Sequence, residues 1–210
     1  MTDLLFATTN PGKQREIRGL LSGLPLRLLF LNDLPAVPEV EETGATFEEN
    51  ARLKATGYAA LLPGGYVAAE DSGIVVPALG GEPGVYSARY GGRPDDLSRN
   101  ELLLERMAGL EGQARAAYYE AVVVLLEPGG TERLFRGRVH GFIAETSEGS
   151  RGFGYDPLFF HPEIGKTFGR ASQEEKDRLS HRGEAIRALR SYLETVVKGR
   201  APEETSAENG

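Results

Sequence analysis

The chain has 210 residues, 40% hydrophobic and 26% charged, the balance of an ordinary soluble protein long enough to bury a core. A formal net charge of −7 argues against broad binding to nucleic acid or an acidic membrane, so an anionic ligand must be held by a local cluster of cations. The absence of cysteine excludes disulfides, thiol catalysis, iron–sulfur clusters and Cys-based zinc sites, and the scattered His140, His161 and His181 argue against a His-rich one.

Met1-Thr2-Asp3 opens without a basic leader into a strand-like run over residues 3–8, and no apolar stretch reaches membrane-spanning length, so the cytoplasm is the expected compartment. Asn10 can cap a helix with Pro11 at its first position. Ile17, Leu20, Leu21 and Leu24 recur at helical spacing until Gly23 and Pro25 end the run. Residues 26–31 read as a second strand, and residues 32–45 as a loop rich in proline and acid. Thr46-Phe47-Glu48-Glu49 is a capping box that opens a helix to about residue 62. Residues 66–70 and 74–79 read as two strands separated by a turn at Asp71-Ser72-Gly73. A glycine-rich loop over residues 80–93 leads to a helix opened by Asp95 or Asp96. Residues 116–126 and 132–143 read as a hairpin joined through Pro128-Gly129-Gly130. Ser172 heads a second capping box, and Ser180 can cap a final helix striped by Ile186, Leu189, Leu193, Val196 and Val197. Residues 1–199 are expected to form one domain, and residues 200–210 a disordered acidic tail. Helices alternating with strands early, then a hairpin, predict an α/β fold with a mixed sheet.

Four segments carry candidate chemistry. Thr8-Thr9-Asn10-Pro11-Gly12-Lys13 links a strand to a helix start, where free N–H groups and the dipole favour phosphate. It is not a Walker loop, because the first glycine is missing and Gln14 follows the lysine; a well-capped helix with a surface lysine is the competing reading. Glu39, Glu41 and Glu42, and then Glu70-Asp71, offer the hard oxygen ligands that Mg²⁺ prefers; a solvated loop and a turn are the plainer alternatives. Lys54 follows the acidic loop on its helix. Finally, Phe153-Gly154-Tyr155-Asp156, Lys176, His181 and Arg182 combine a ring face for base stacking, an acceptor and several donors. Core packing of Phe153 is the alternative. The chain carries 19 arginines and only 5 lysines, which draws attention to Lys13, Lys54 and Lys176, because the two cations are not interchangeable at a phosphate site.

Together these segments resemble the inosine triphosphate pyrophosphatase family, which acts on non-canonical purine nucleoside triphosphates. The matching pieces are residues 8–13; residues 42–54, Glu-Thr-Gly-Ala-Thr-Phe-Glu-Glu-Asn-Ala-Arg-Leu-Lys; residues 70–90, from Glu-Asp-Ser-Gly to Pro-Gly-Val-Tyr-Ser-Ala-Arg-Tyr; residues 152–159; and Ser180-His181-Arg182. They arrive in the family's order. The resemblance implies an elongated α/β fold, with helices flanking a long mixed sheet, two lobes with a central cleft, and a homodimer. It implies hydrolysis of ITP, dITP or XTP between the α- and β-phosphates, with Mg²⁺ as cofactor. Thr8, Thr9, Asn10, Pro11, Gly12, Lys13 and Lys54 would hold the triphosphate. Asp71 would be general base and metal ligand, with Glu42 as second ligand. Phe153, Gly154, Tyr155, Asp156, Lys176, His181 and Arg182 would surround the base, with Ser72 nearby. A non-catalytic purine-nucleotide sensor would use the lysines and Phe153 but need no acidic pair.

Overall fold

In the computed structural model residues 2–199 are described; the expected acidic tail lies outside them. Strand β1 (Thr2–Phe6) pairs in parallel with β2 (Leu26–Phe30) on one side and with β3 (Tyr66–Val75) on the other. From β3 the sheet continues antiparallel through β4 (Ala116–Leu126), β5 (Glu132–Ile143), β6 (Phe159–His161) and β7 (Lys166–Thr167). The result is one open mixed sheet in the order β2-β1-β3-β4-β5-β6-β7, the α/β class expected.

Helices α1 (Pro11–Leu20) and α5 (His181–Gly199) cover one face, and α2 (Phe47–Tyr58) covers the other. The caps form as the sequence suggests. The Asn10 side chain accepts from the Lys13 N–H at 3.0 Å, while Thr46 and Glu49 satisfy each other's backbone N–H groups. Strand alternation sorts the apolar side chains: Ala121, Val123 and Leu125 of β4 pack towards α1 and α5, and Val124 packs towards α2. Helix α3 (Asp96–Arg106) buries Leu103 in a separate apolar cluster with Tyr119, Tyr155, Phe159 and Phe168. The short α4 (Gln173–Leu179) leads into α5.

One expectation is corrected. Asp71-Ser72-Gly73 is not a turn between two strands. It is the middle of β3, with Asp71 opposite Val122, Ser72 opposite Ala121 and Gly73 opposite Glu120. Turn-forming residue types yield here to nine consecutive cross-strand pairings with β4. The expected strand over residues 74–79 instead gives way to a short 3-10 turn, Pro77–Leu79.

The β3 extension creates the cleft. Strand β1 ends at Phe6, opposite Ala68, so Glu70, Asp71 and Ser72 run on past it. On the α1/α5 face, Ala68 belongs to one apolar cluster and Ile74 to another. Between them on that face come Glu70 and Ser72. A polar belt thus separates two cores, which is the physical basis of two lobes.

Candidate active site

The chain reverses direction along the sheet at β1: β2 lies to one side and β3 to the other. Crevices beyond the carboxyl ends of parallel strands at such a point are the usual ligand sites of open α/β sheets. A cleft of about 380 Å³ opens there, within the range of small-molecule pockets. Among its walls are Thr8, Thr9, Asn10, Lys13, Glu42, Lys54, Asp71, Ser72, Phe153, Gly154, Tyr155, Asp156, Lys176, His181 and Arg182. Segments far apart in sequence therefore meet. Pro11 and Gly12 lie behind that wall, in the first turn of α1.

One wall of the cleft is built on the start of α1. The Thr8 hydroxyl accepts from the Asn10 N–H at 3.2 Å, and Gln14 ties the loop by donating to the Thr8 carbonyl at 3.0 Å. Lys13 pairs with Glu70 at 3.4 Å. Burial lowers the Lys13 pKa, with Arg182 and Lys54 adding to the effect and Glu70 opposing it. A cation held with so little water would welcome an anion.

On the opposite face of β3, Lys54 of α2 reaches Glu42 at 3.1 Å and Asp71 at 3.2 Å. Asn50, one turn earlier and fully buried, donates to Asp71 at 3.3 Å and accepts from the Gly44 N–H at 2.8 Å. Burial pushes the Asp71 carboxyl above its usual range, and the nearby Glu42 charge adds to this against the pull of Lys54 and Lys13. The two carboxylates converge on one ammonium. Among the described residues no group of three or more His, Asp or Glu side chains is arranged for a metal. A two-carboxylate set still fits Mg²⁺, which keeps waters and takes substrate phosphates as further ligands.

A buried ion-pair chain forms the belt between the lobes. Arg182, 2% exposed, donates from Nε and Nη2 to Glu70 at 2.8 Å, from Nη1 to Glu16 at 2.6 Å and from Nη2 to Ser72 at 3.0 Å. Lys176 joins Glu16 at 2.7 Å and also pairs with Asp156. Burial alone would raise the Glu70 and Glu16 carboxyls. Arg182 and Lys13 together outweigh it at Glu70, and Arg182 and Lys176 together at Glu16, and Glu70 is held well below the usual range. Arg182 is thus mainly a structural hub: of its five N–H donors, only one, on Nη1, is left for a ligand.

The Phe153 ring lies with the Lys176 ammonium 4.6 Å and the Arg182 guanidinium carbon 5.3 Å from its centroid. A Cβ at Gly12 would collide with this ring, so glycine there lets Phe153 lie against the start of α1. Asp156 is buried and accepts from the Phe153 N–H at 2.8 Å; it staples the loop from behind. Burial raises its pKa against the opposing Lys176 charge. His181 stacks on Tyr119 at 4.5 Å, and its buried Nδ1 has no partner among the described residues. Burial, reinforced by Arg182, keeps this imidazole well below its usual pKa and therefore neutral. An unpaired ring nitrogen beside the cleft is an unmet hydrogen bond that a ligand can complete.

Sequence reasoning missed Glu16 and Asn50. Nothing in a helical pattern marks Glu16 as inward-facing except its place beside Ile17. Asn50 follows the capping box and reads as ordinary helix surface.

Fold and cleft together define an α/β protein whose cleft brings several cationic side chains together with an aromatic ring face. The chain belongs to the Ham1 family, whose model matches residues 4–192. It is 52% identical over 203 residues to the dITP/XTP pyrophosphatase of Thermus thermophilus, covering 97% of this chain and 96% of that protein. It is 47% identical over 194 residues to the dITP/XTP pyrophosphatase of Geobacter sulfurreducens, covering 92% of this chain and 97% of that protein. The solved Ham1 protein of Staphylococcus aureus matches with a TM-score of 0.82 at 38% identity, over 93% of this chain and 100% of that one. The resemblance carried by the five sequence segments is borne out.

Proposed function

We propose that this protein hydrolyses non-canonical purine nucleoside triphosphates, among them dITP, XTP and ITP, to the monophosphate and pyrophosphate. The observation that carries the reading is the convergence of Glu42 and Asp71 on Lys54, in the same cleft as the α1 start and Phe153. A sensor would need no such carboxylate pair. The names of the close relatives agree with it.

Lys13 and Lys54, with the loop at the start of α1, hold the triphosphate. Mg²⁺, bound through Glu42 and Asp71, would neutralise phosphate charge and lower the pKa of bound water. Asp71, oriented by Asn50, accepts the proton of the water that attacks phosphorus. Positioning and charge stabilisation supply most of such a reaction. Phe153 stacks on the base. The neutral His181 and the remaining Arg182 N–H present donors to the O6 acceptor of hypoxanthine or xanthine. Adenine would set an amino donor against them and leave buried groups unpaired. A homodimer is the proposed assembly.

A nucleotide panel tests this. Turnover of dITP, XTP and ITP with Mg²⁺, its loss in EDTA, and little turnover of dATP are expected. Equal turnover of dATP and dITP would overturn the base reading, and full activity in EDTA would overturn the metal role.

A further inference from the structure

Gly154, directly after Phe153, is gripped from an element outside the matched site segments. Its N–H donates to Asp96 Oδ2 at 2.7 Å, and its carbonyl accepts from Asn100 Nδ2 at 3.2 Å. Asp96 and Asn100 are four residues apart on α3 and so share one face. Both peptides flanking the Gly154 Cα are thereby fixed, at a φ of +63° that favours glycine. The grip is itself braced. The other Asp96 oxygen takes the Arg99 guanidinium, which also donates to the Arg93 carbonyl at 3.0 Å. Asn100 is 5% exposed and its Oδ1 has no partner among the described residues. A buried amide with an unmet acceptor is costly, which suggests that its donor is what the site needs. Next along the loop, the Tyr155 hydroxyl donates to the Ser87 carbonyl at 2.9 Å.

We infer that the N-terminal part of α3 is a clamp that sets the position of Phe153, with Asp96 and Asn100 as positioning residues for purine recognition. This rests on reading Phe153 as the base-stacking wall. α3 is anchored in the apolar cluster on the far side of the belt by Leu103, whereas α1, with the phosphate loop, is anchored in the near one by Ile17. The clamp ties the loop that carries Phe153 to the lobe of α3, while the Phe153 ring rests against Gly12 in α1 of the other lobe. Losing it loosens the ring, while Lys13 and Lys54 keep their own partners Glu70, Glu42 and Asp71.

The test compares KM for dITP with the inhibition constant of pyrophosphate in Asp96→Ala, Asp96→Asn and Asn100→Ser, with Tm recorded for each. Asp96→Ala should raise KM roughly tenfold, the scale of one charge-assisted hydrogen bond, with kcat little changed and pyrophosphate inhibition unchanged. Asp96→Asn keeps an acceptor for the Gly154 N–H and should recover most of the KM. Asn100→Ser, which shortens the donor, should move KM in the same direction as Asp96→Ala. Unchanged KM in Asp96→Ala and Asn100→Ser overturns the clamp. So does a joint rise in KM and in the pyrophosphate constant, which would signal general damage. Failure of the wild-type protein to turn over dITP would instead overturn the reading of the base wall.

Discussion

Replacing Arg182 with methionine tests the charged belt. Methionine retains part of the buried stem and removes five N–H donors. The Glu70 side chain, 0% exposed, would keep Lys13 at 3.4 Å, and Glu16 would keep Lys176 at 2.7 Å. Removing one partner of a buried ion pair costs about 3–5 kcal/mol, and here both carboxylates stay buried with only their lysine partners left. In a chain of this size each kcal/mol shifts Tm by about 2–4 °C, so a fall of about 6–20 °C is expected. The loss should depend on pH. In the native protein both carboxyls lie below their usual value of 4.5. Their stabilisation is therefore present above that value and is lost as pH falls through the folded values. Without Arg182 the carboxyls protonate more readily, so the variant's deficit should be largest near neutral pH and shrink towards pH of about 4.5. Urea unfolding followed at neutral and mildly acidic pH measures both. A loss under about 1 kcal/mol, equal at the two pH values, would refute the belt as a stabilising network.

Two further substitutions separate the halves of the site. Asp71→Asn should abolish turnover while nucleotide binding, measured by calorimetry, survives; near-normal turnover removes Asp71 from its role as base. Phe153→Ala should weaken dITP binding by roughly five- to a hundredfold, given about 1–3 kcal/mol for stacking one base. Unchanged KM with a lowered Tm would make Phe153 a core residue instead.

The caps were legible because they are local: Asn10, Thr46 and Ser172 each accept from a backbone N–H three residues on, and that chemistry is written in adjacent residues. The hairpin of β4 and β5 was legible from two long β-rich runs around Pro128-Gly129-Gly130. Strands β6 and β7 were not, since three and two residues carry no period. Asp71-Ser72-Gly73 misled because the same residue types serve turns and a functional strand centre, and only pairing with β4 decides between them. The site segments were recognisable one by one, but their division of labour was not. Glu70 and Asp71 are neighbours in sequence and face opposite sides of the sheet, one to Arg182 and the other to Lys54. Arg182 read as a base contact because its charge was visible and its partner Glu16, 166 residues away, was not.

The central claim concerns which phosphoanhydride is broken, and the product mixture decides it. Incubated with dITP and Mg²⁺, the protein should release pyrophosphate and dIMP in equal amounts, with no dIDP. Release of orthophosphate together with dIDP would contradict the account.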